Sequence, residues 1–541
     1  VTNRLGVALF TTGPGASNSV TGVAAAWLDS TPCLFVSGQA KRSDLAFGTP
    51  LRQRGVQEID IVSIVTPVTK YAVTILDPST IRYHLERAIH LATSGRKGPV
   101  WIDIPLDVQA AEIDPATLQG FDIEPTADPG AAPSSRQIAD IVALLAHAER
   151  PILLLGNGVR LADATGRVAQ LVEQLGIPVL TTRLGVDLVP GSEPLLVGMP
   201  GGIASRAANF ALQNCDCLLA IGARLDMALI AYAPERLARG AKRIMVNIDA
   251  AEIDKLGTVI DIGVVSDAAT FIDALIAVAP TARRDRSPWL ARCAEWRTRY
   301  PFVTAEQREG YRHNPAGLSM YAFSEALSDA LASDDVVLPG SSGFACEIFL
   351  TAFTVKAGQR VFHNKGTGAM GFGQPAAIGA CLAAGGRRTV CVDGDGGFQM
   401  NIQELETVRR LGLPIKFFVI DNDGYASIRS SQSGYFGRLT GADSSSGMTL
   451  PDVTRVAAAY GIATVDCATP DRLADAIRET LETAGPVVCR VRTLADEPRM
   501  PRVASMQRPD GSMVSKPLED MWPFLPREEF LANMLVEPLE E

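Results

Sequence analysis

The chain has 541 residues, 47% apolar and 20% charged, and its 50 basic and 60 acidic side chains leave a formal net charge of -10. This length calls for about three domains. The composition excludes wholesale disorder, and the acidic balance disfavours nucleic acid or an anionic membrane surface as the main partner. No apolar run reaches the roughly 18 residues needed to cross a bilayer.

Three stretches alternate short apolar runs with helix-length periodic segments. This is the pattern of an α/β chain with three doubly wound parallel-sheet domains. The first domain, residues 1–112, starts with an apolar strand at 5–10 and closes with a buried strand at 98–105 ended by proline. A linker rich in Pro, Ala, Gly and Asp spans 114–135. The second domain, 136–281, starts with a helix and continues through strands at 152–155, 178–182, 217–221 and 243–248. A charged connector bearing Arg and Trp leads to the third, 317–495, and residues 496–541 read as a tail with little periodicity. The nine cysteines are odd in number and scattered, which predicts reduced core thiols and a cytoplasmic protein. Alternation puts Cys215 and Cys217 on one face of a strand. Neither they nor the five histidines (84, 90, 147, 313 and 363) fall at metal-ligand spacing.

The segment most informative about chemistry runs from Arg388 to Tyr425. An apolar strand ends in Gly394-Asp395-Gly396-Gly397. A helical face of Ile402, Leu405, Val408 and Leu411 follows, with Gly412 as its stop, and a second strand ends in Asp421-Asn422-Asp423-Gly424-Tyr425. The right-handed crossover makes the two strands parallel neighbours, so Asp395 and Asn422 emerge together at the carboxyl edge of one sheet, where open α/β sheets bind ligands. A carboxylate, a carboxamide oxygen and a nearby backbone carbonyl are hard donors suited to Mg²⁺, which completes its octahedron with water and phosphate oxygens. Gly396 and Gly397 would let backbone N–H groups approach a diphosphate. A strand-end turn without a ligand fits the same residues.

The spacing of this Gly-Asp-Gly from Asn422 resembles the thiamine-diphosphate motif, with Asp421 in place of the family's first Asn. Thr11 to Asn18 (TTGPGASN) resembles a turn of the acetohydroxyacid (acetolactate) synthases, and the likeness continues in order as far as about residue 495. The resemblance implies thiamine diphosphate and Mg²⁺ as cofactors. Its metal ligands map to Asp395, Asn422 and the Gly424 carbonyl. Gly13, Pro14, Gly15, Asn18, Gly368, Met370, Gly394, Gly396, Gly397 and Tyr425 map to cofactor contacts, with Met370 as the prop beneath the cofactor. Gln57 and Lys70 look like the family's substrate-side Gln and Lys, the first hydrogen-bonding a developing alkoxide and the second attracting a carboxylate. Gly156, Gly158, Gly185, Gly222, Arg224 and Asp249 fall where the family holds FAD. However, Asp226-Met227-Ala228 departs from its Asp-Asp-Arg, and a merely structural nucleotide-like scaffold fits as well.

The implied activity is a carboligation: a 2-oxo acid, first of all pyruvate, is decarboxylated and its acyl unit passes to a second carbonyl. The protein would be a homodimer or homotetramer, its site formed between the first domain of one subunit and the third of another. Ser427 and Ser431 stand where branched-chain synthases carry a Met and a Trp lining the acceptor pocket, so a bulkier, more polar acceptor such as a keto-sugar is expected. The family's activating glutamate maps ahead of Val1. The first domain therefore reads as N-terminally incomplete, and no residue of this sequence takes that role. A simple 2-oxo acid decarboxylase and a catalytically weak cofactor-binding fragment are the alternatives.

Overall fold

A computed structural model describes residues 1–123, 132–279, 284–312, 314–340, 343–507 and 513–539. Part of the linker, His313 and parts of the expected tail lie outside the described residues. Contacts divide the chain into two units: residues 2–131 with 364–369, and residues 1, 132–363 and 370–541.

The first unit holds a four-stranded parallel sheet of β1 (Gly6–Phe10), β2 (Cys33–Gln39), β3 (Tyr71–Thr74) and β4 (Pro99–Pro105), in the order β1-β2-β4-β3. β4 is covered on both faces. Val100 and Ile102 face one cluster with Ala88 and Ala92 of the helix Ile81–Thr93, while Trp101 is fully buried and stacks 5.4 Å from Phe35 on the other side. Such continuous burial is what a central parallel strand requires.

In the second unit, β5 (Pro151–Leu155), β6 (Val179–Thr181), β7 (Leu196–Gly198), β8 (Cys217–Ile221), β9 (Lys242–Asn247) and β10 (Ile262–Val265) form a parallel sheet ordered β10-β9-β8-β5-β6-β7. One face packs the helices Ser135–His147, Val168–Leu175 and Ala268–Val278, the first of them started by a Ser134–Gln137 capping box. The other face packs the helix Arg206–Asn214, buried along its whole length.

The layer over that buried helix corrects the expected tail. Asn209 donates to the Leu518 carbonyl at 2.8 Å, Arg206 donates to the carbonyls of Met521 and Pro523, and Gln213 donates to Glu519. Trp296, on the connector helix Ser287–Arg299, donates to Asn533 at 2.7 Å. The C-terminal segment is thus a structural layer of the central domain. It escaped periodicity because its described residues form short strands, turns and one six-residue helix, Arg527–Ala532, held by partners some 300 residues away in sequence. Cys215 also differs from expectation. It follows the helix Arg206–Asn214 and gives its thiol to the Leu212 carbonyl, and β8 begins only at Cys217.

The third sheet comprises β11 (Val336–Pro339), β12 (Arg360–Val361), β13 (Thr389–Gly394), β14 (Ile415–Asp421), β15 (Ala463–Cys467) and β16 (Val487–Arg492), ordered β12-β11-β13-β14-β16-β15 and parallel throughout. The expected βαβ unit is present. β13 and β14 pair in register from Thr389–Ile415 to Gly394–Ile420, and Gly412 ends the intervening helix Glu404–Leu411 in the left-handed conformation. No described helix is long and apolar enough to cross a membrane.

Candidate active site at the carboxyl edges

β13 and β14 are buried along nearly their whole length, and their register brings both chain exits to one edge. There the Asp395 carboxylate, 7% exposed, accepts from Gly396 N through Oδ1, and from Asn422 N at 3.2 Å and Gly424 N at 3.0 Å through Oδ2. Burial pushes this carboxyl up to about 6, against the pull of the three backbone N–H donors. The two halves of the motif are therefore tied together by the acid itself.

The glycines of the motif are needed for reasons the sequence did not give. A side chain at Gly396 would collide with the Tyr425 ring, and one at Gly397 would stand 2.8 Å from Asp393 Oδ1. Gly424 has φ +105°, and a Cβ there would lie 2.5 Å from the Ala442 carbonyl. Asp393, two residues before Asp395, is buried, and its Oδ2 has no hydrogen-bond partner among the described residues; burial pushes this carboxyl up to about 7.

Arg429 was missed by the sequence reading. It is 4% exposed, on the helix Ala426–Phe436 that follows Tyr425. Its guanidinium donates to the carbonyls of Asn422 and Asp423 at 3.1 Å each and to that of Ala495, and pairs with Asp496 at 2.8 Å. It clamps the Asn422–Gly424 turn to the end of β16. Nothing in the sequence marks it except an arginine inside a serine-rich helix.

In the first unit, the turn after β1 and the loop carrying Gln57 meet. Gly13 takes φ +60°, and a Cβ there would collide with the carbonyl of Gln57, itself at φ +58°. Glu58 fixes that loop by accepting from the backbone N–H groups of Ala46, Arg54 and Gly55, and its carboxyl is held below the usual range by those donors against the opposing effect of desolvation. Gly15 needs its bare Cα because a Cβ would lie 2.7 Å from the Thr11 side chain; Pro14 and Asn18 are exposed on the short helix Pro14–Asn18. At the same edge Asp103 is fully buried and accepts from Ser37, Gln39 and Thr74. Lys70 sits elsewhere. It precedes β3, at the amino edge of the sheet, and donates to the Ser94 carbonyl at 2.7 Å. Gly368 belongs to the first unit, whose segment 364–369 is held by Asp29 through Asn364 and Gly366, whereas Met370 belongs to the second and is 41% exposed.

The six residues expected at a flavin all lie past the carboxyl ends of β5, β6, β8 and β9. Three of the glycines are used up by the chain itself: Gly158 N donates to Gly222 O at 2.9 Å, and a Cβ at Gly156 or Gly158 would run into Gly222. A Cβ at Gly185 would stand 3.1 Å from the Leu155 carbonyl. Arg224 pairs with Glu252 at 2.9 Å, and Asp249 caps the helix Ala250–Asp254.

Comparison with known proteins matches three domain models in order. The thiamine pyrophosphate enzyme N-terminal TPP binding domain covers residues 1–64, the central domain 138–275 and the C-terminal TPP binding domain 342–491. The chain is 34% identical to the acetolactate synthase large subunit of Corynebacterium glutamicum over 489 residues, which is 89% of this chain and 75% of the relative. It is 32% identical to an acetolactate synthase of Arthrospira platensis over 516 residues, 93% and 85% of the two chains. A probable acetolactate synthase large subunit of Methanocaldococcus jannaschii is 33% identical over 490 residues, 88% and 79%.

Proposed function

Because the chain belongs to the thiamine pyrophosphate enzymes of the acetolactate synthase type, we propose that it decarboxylates a 2-oxo acid, pyruvate first, and transfers the acyl unit to a second carbonyl. The observation that carries this reading is the junction of Asp395 with the Asn422–Gly424 turn across β13 and β14. A carboxylate, a carboxamide and a backbone carbonyl fit Mg²⁺ and the diphosphate it bridges.

Thiamine diphosphate, when bound, supplies the nucleophilic carbon and the electron sink that decarboxylation of a 2-oxo acid needs. The residues of the chain bind and orient. Asp395, the Asn422 side chain and the Gly424 carbonyl would hold Mg²⁺, and Arg429 keeps the turn that would present the last two. Gly394, Gly396, Gly397 and Tyr425 shape the diphosphate cradle, and Met370 is the apolar prop. Gly13, Pro14, Gly15, Asn18 and the Gly368 carbonyl receive the pyrimidine end. Gln57, on the loop fixed by Glu58 beside Gly13, would donate to a substrate oxygen on which charge develops. Lys70, at the amino edge of its sheet, is given no part in this scheme. FAD at the carboxyl edge of the central sheet, a homodimeric or homotetrameric assembly and a cytoplasmic location belong to the same proposal.

The test is incubation of the protein with pyruvate, thiamine diphosphate and Mg²⁺, reading carbon dioxide release and identifying the ligated product. Carbon dioxide with free aldehyde as the only product would replace carboligation by simple decarboxylation.

A further inference from the structure

Asp103 is a fully buried carboxylate with no part in the scheme above. It stands near the end of β4, between β2 and β3, and both neighbours supply its donors. Ser37 Oγ of β2 donates to Oδ1 at 2.5 Å. Gln39 Nε2 and Thr74 Oγ1, on the last residues of β2 and β3, donate to Oδ2 at 3.0 Å and 3.2 Å. Trp101 Nε1 donates to Ser37 Oγ at 2.9 Å, which leaves that hydroxyl's own proton for Asp103. Burial pushes the Asp103 carboxyl up to about 6, so at neutral pH it is ionised and only accepts. The amide of Gln39, itself buried, must therefore turn its nitrogen towards the carboxylate. The second hydrogen of that nitrogen goes to the Ile59 carbonyl at 2.8 Å, and Gln39 Oε1 accepts from Ala40 N at 2.9 Å. Ile59 lies two residues past Gln57, whose side chain is exposed and whose φ is +58°. A left-handed residue with a side chain persists where its surroundings over-determine it. Here Glu58 holds the loop to Ala46, Arg54 and Gly55, and the Gln39–Ile59 bond ties its other end to the sheet.

We propose that Asp103 and Gln39 are positioning residues for Gln57: the carboxylate orients the Gln39 amide, and the amide holds the Ile59 carbonyl so that Gln57 keeps its left-handed conformation at the sheet edge. This rests on the carboligase reading above, in which Gln57 meets the oxygen that gains charge. The chemistry of the pair favours positioning over simple strand pairing. Apolar side chains would join three strand ends without desolvating a charge. A carboxylate is the group that keeps an amide from turning over, because it accepts from the amide nitrogen and repels the amide oxygen. The chain thus sets one exposed glutamine through a buried relay of one acid and one amide.

The test uses the holoenzyme with pyruvate and reads kcat and KM for carbon dioxide release. Tryptic cleavage after Arg52 and Arg54, exposed on the same loop, is a readout independent of activity. Gln39→Met keeps the length of the side chain and loses its hydrogen bonds, and Asp103→Asn lets the amide turn over. Each should lower kcat by about 10-fold or more, with the pyruvate KM within about twofold of wild type. Each should also speed cleavage at Arg52 and Arg54 by about 5-fold, the factor one hydrogen bond carries. With Gln57→Ala in place, Gln39→Met should lower kcat no further, because residues that act as a unit do not add. Thermal unfolding of each variant reports its folding, and Gln39→Met, which leaves Asp103 with Ser37 and Thr74, keeps the test decisive should Asp103→Asn fail to fold. Fully additive losses in the double variant, wild-type kcat in Gln57→Ala, or unchanged cleavage in folded Gln39→Met overturns this inference alone. Absence of carbon dioxide release by the wild-type holoenzyme overturns the carboligase reading and this inference with it.

Discussion

Glu497 links the segment after β16 to the start of the helix Met320–Ala330, and its protonation should be visible in stability. Its carboxyl is 6% exposed and accepts from Ser319 Oγ at 2.5 Å and Met320 N at 2.6 Å. Burial outweighs those two donors and moves it from an ordinary 4.5 up to about 7. A pKa raised on folding means that the folded protein prefers the protonated acid. The stabilising contribution is complete below 4.5 and is lost as pH rises through 7. That interval converts to about 3 kcal/mol. Glu497→Gln keeps the oxygen that accepts from Met320 N and removes the ionisation. The assay is chemical or thermal unfolding of wild type and variant from pH 4 to 9. The stability difference should swing towards the variant by up to about 3 kcal/mol, building up between pH 4.5 and 7 and level above that. Wild type alone is not diagnostic, because burial also raises Asp103 to about 6 and Asp393 to about 7, with the same sign. A difference profile flat from pH 5 to 9 would refute the reasoning, since no other group changes between the two proteins.

Three further outcomes follow from the site. Arg429→Met strips charge-assisted bonds from three backbone carbonyls, so Mg²⁺ titrations in the presence of thiamine diphosphate should show apparent affinity lower by about 10-fold or more, with Arg429→Lys intermediate. Gly424→Ala forces a Cβ into a left-handed turn 2.5 Å from the Ala442 carbonyl; it should cost about 2 kcal/mol or more in unfolding and abolish carbon dioxide release. Gly13→Ala meets the Gln57 carbonyl and should depress turnover with pyruvate by moving Gln57, with unfolding of the second unit unchanged.

The βαβ unit was legible because two ordinary rules suffice for it. A buried apolar strand, a helix with its apolar residues on one face and a second buried strand can close in only one hand, and that fixes Asp395 and Asn422 at one edge. The strands at 152–155 and 217–221 were readable for the same reason, each a short, continuous apolar run, and that at 98–105 is such a run broken only by Asp103. What stayed hidden is held by single side chains rather than by periodicity. Arg429, Arg499 and Glu58 act through bonds to backbone or to a distant partner, and no local pattern announces them. The C-terminal layer is the extreme case. Asn209 and Leu518 are joined by one hydrogen bond from a side-chain amide to a carbonyl, a contact that no window along the sequence can contain.

Glycine is where sequence reasoning and structure part most instructively. At strand ends in an α/β chain, glycine suggests a phosphate approaching the backbone, yet a bare Cα is equally demanded when another part of the chain comes that close. At Gly156, Gly158 and Gly222 the approaching group is the neighbouring turn, and at Gly396 it is the Tyr425 ring. These glycines would be required with or without a ligand, so they weigh little in favour of a nucleotide. Asp395 weighs more. A buried carboxylate that spends its hydrogen bonds on the backbone of the adjacent turn is an expensive way to tie two loops together if that is all it does. Its desolvation raises its pKa, and a divalent cation at the same edge would reverse that penalty. Charge therefore favours a cation beside Asp395 in the third sheet, whereas the glycines at the central sheet's edge are spent on the chain's own turns.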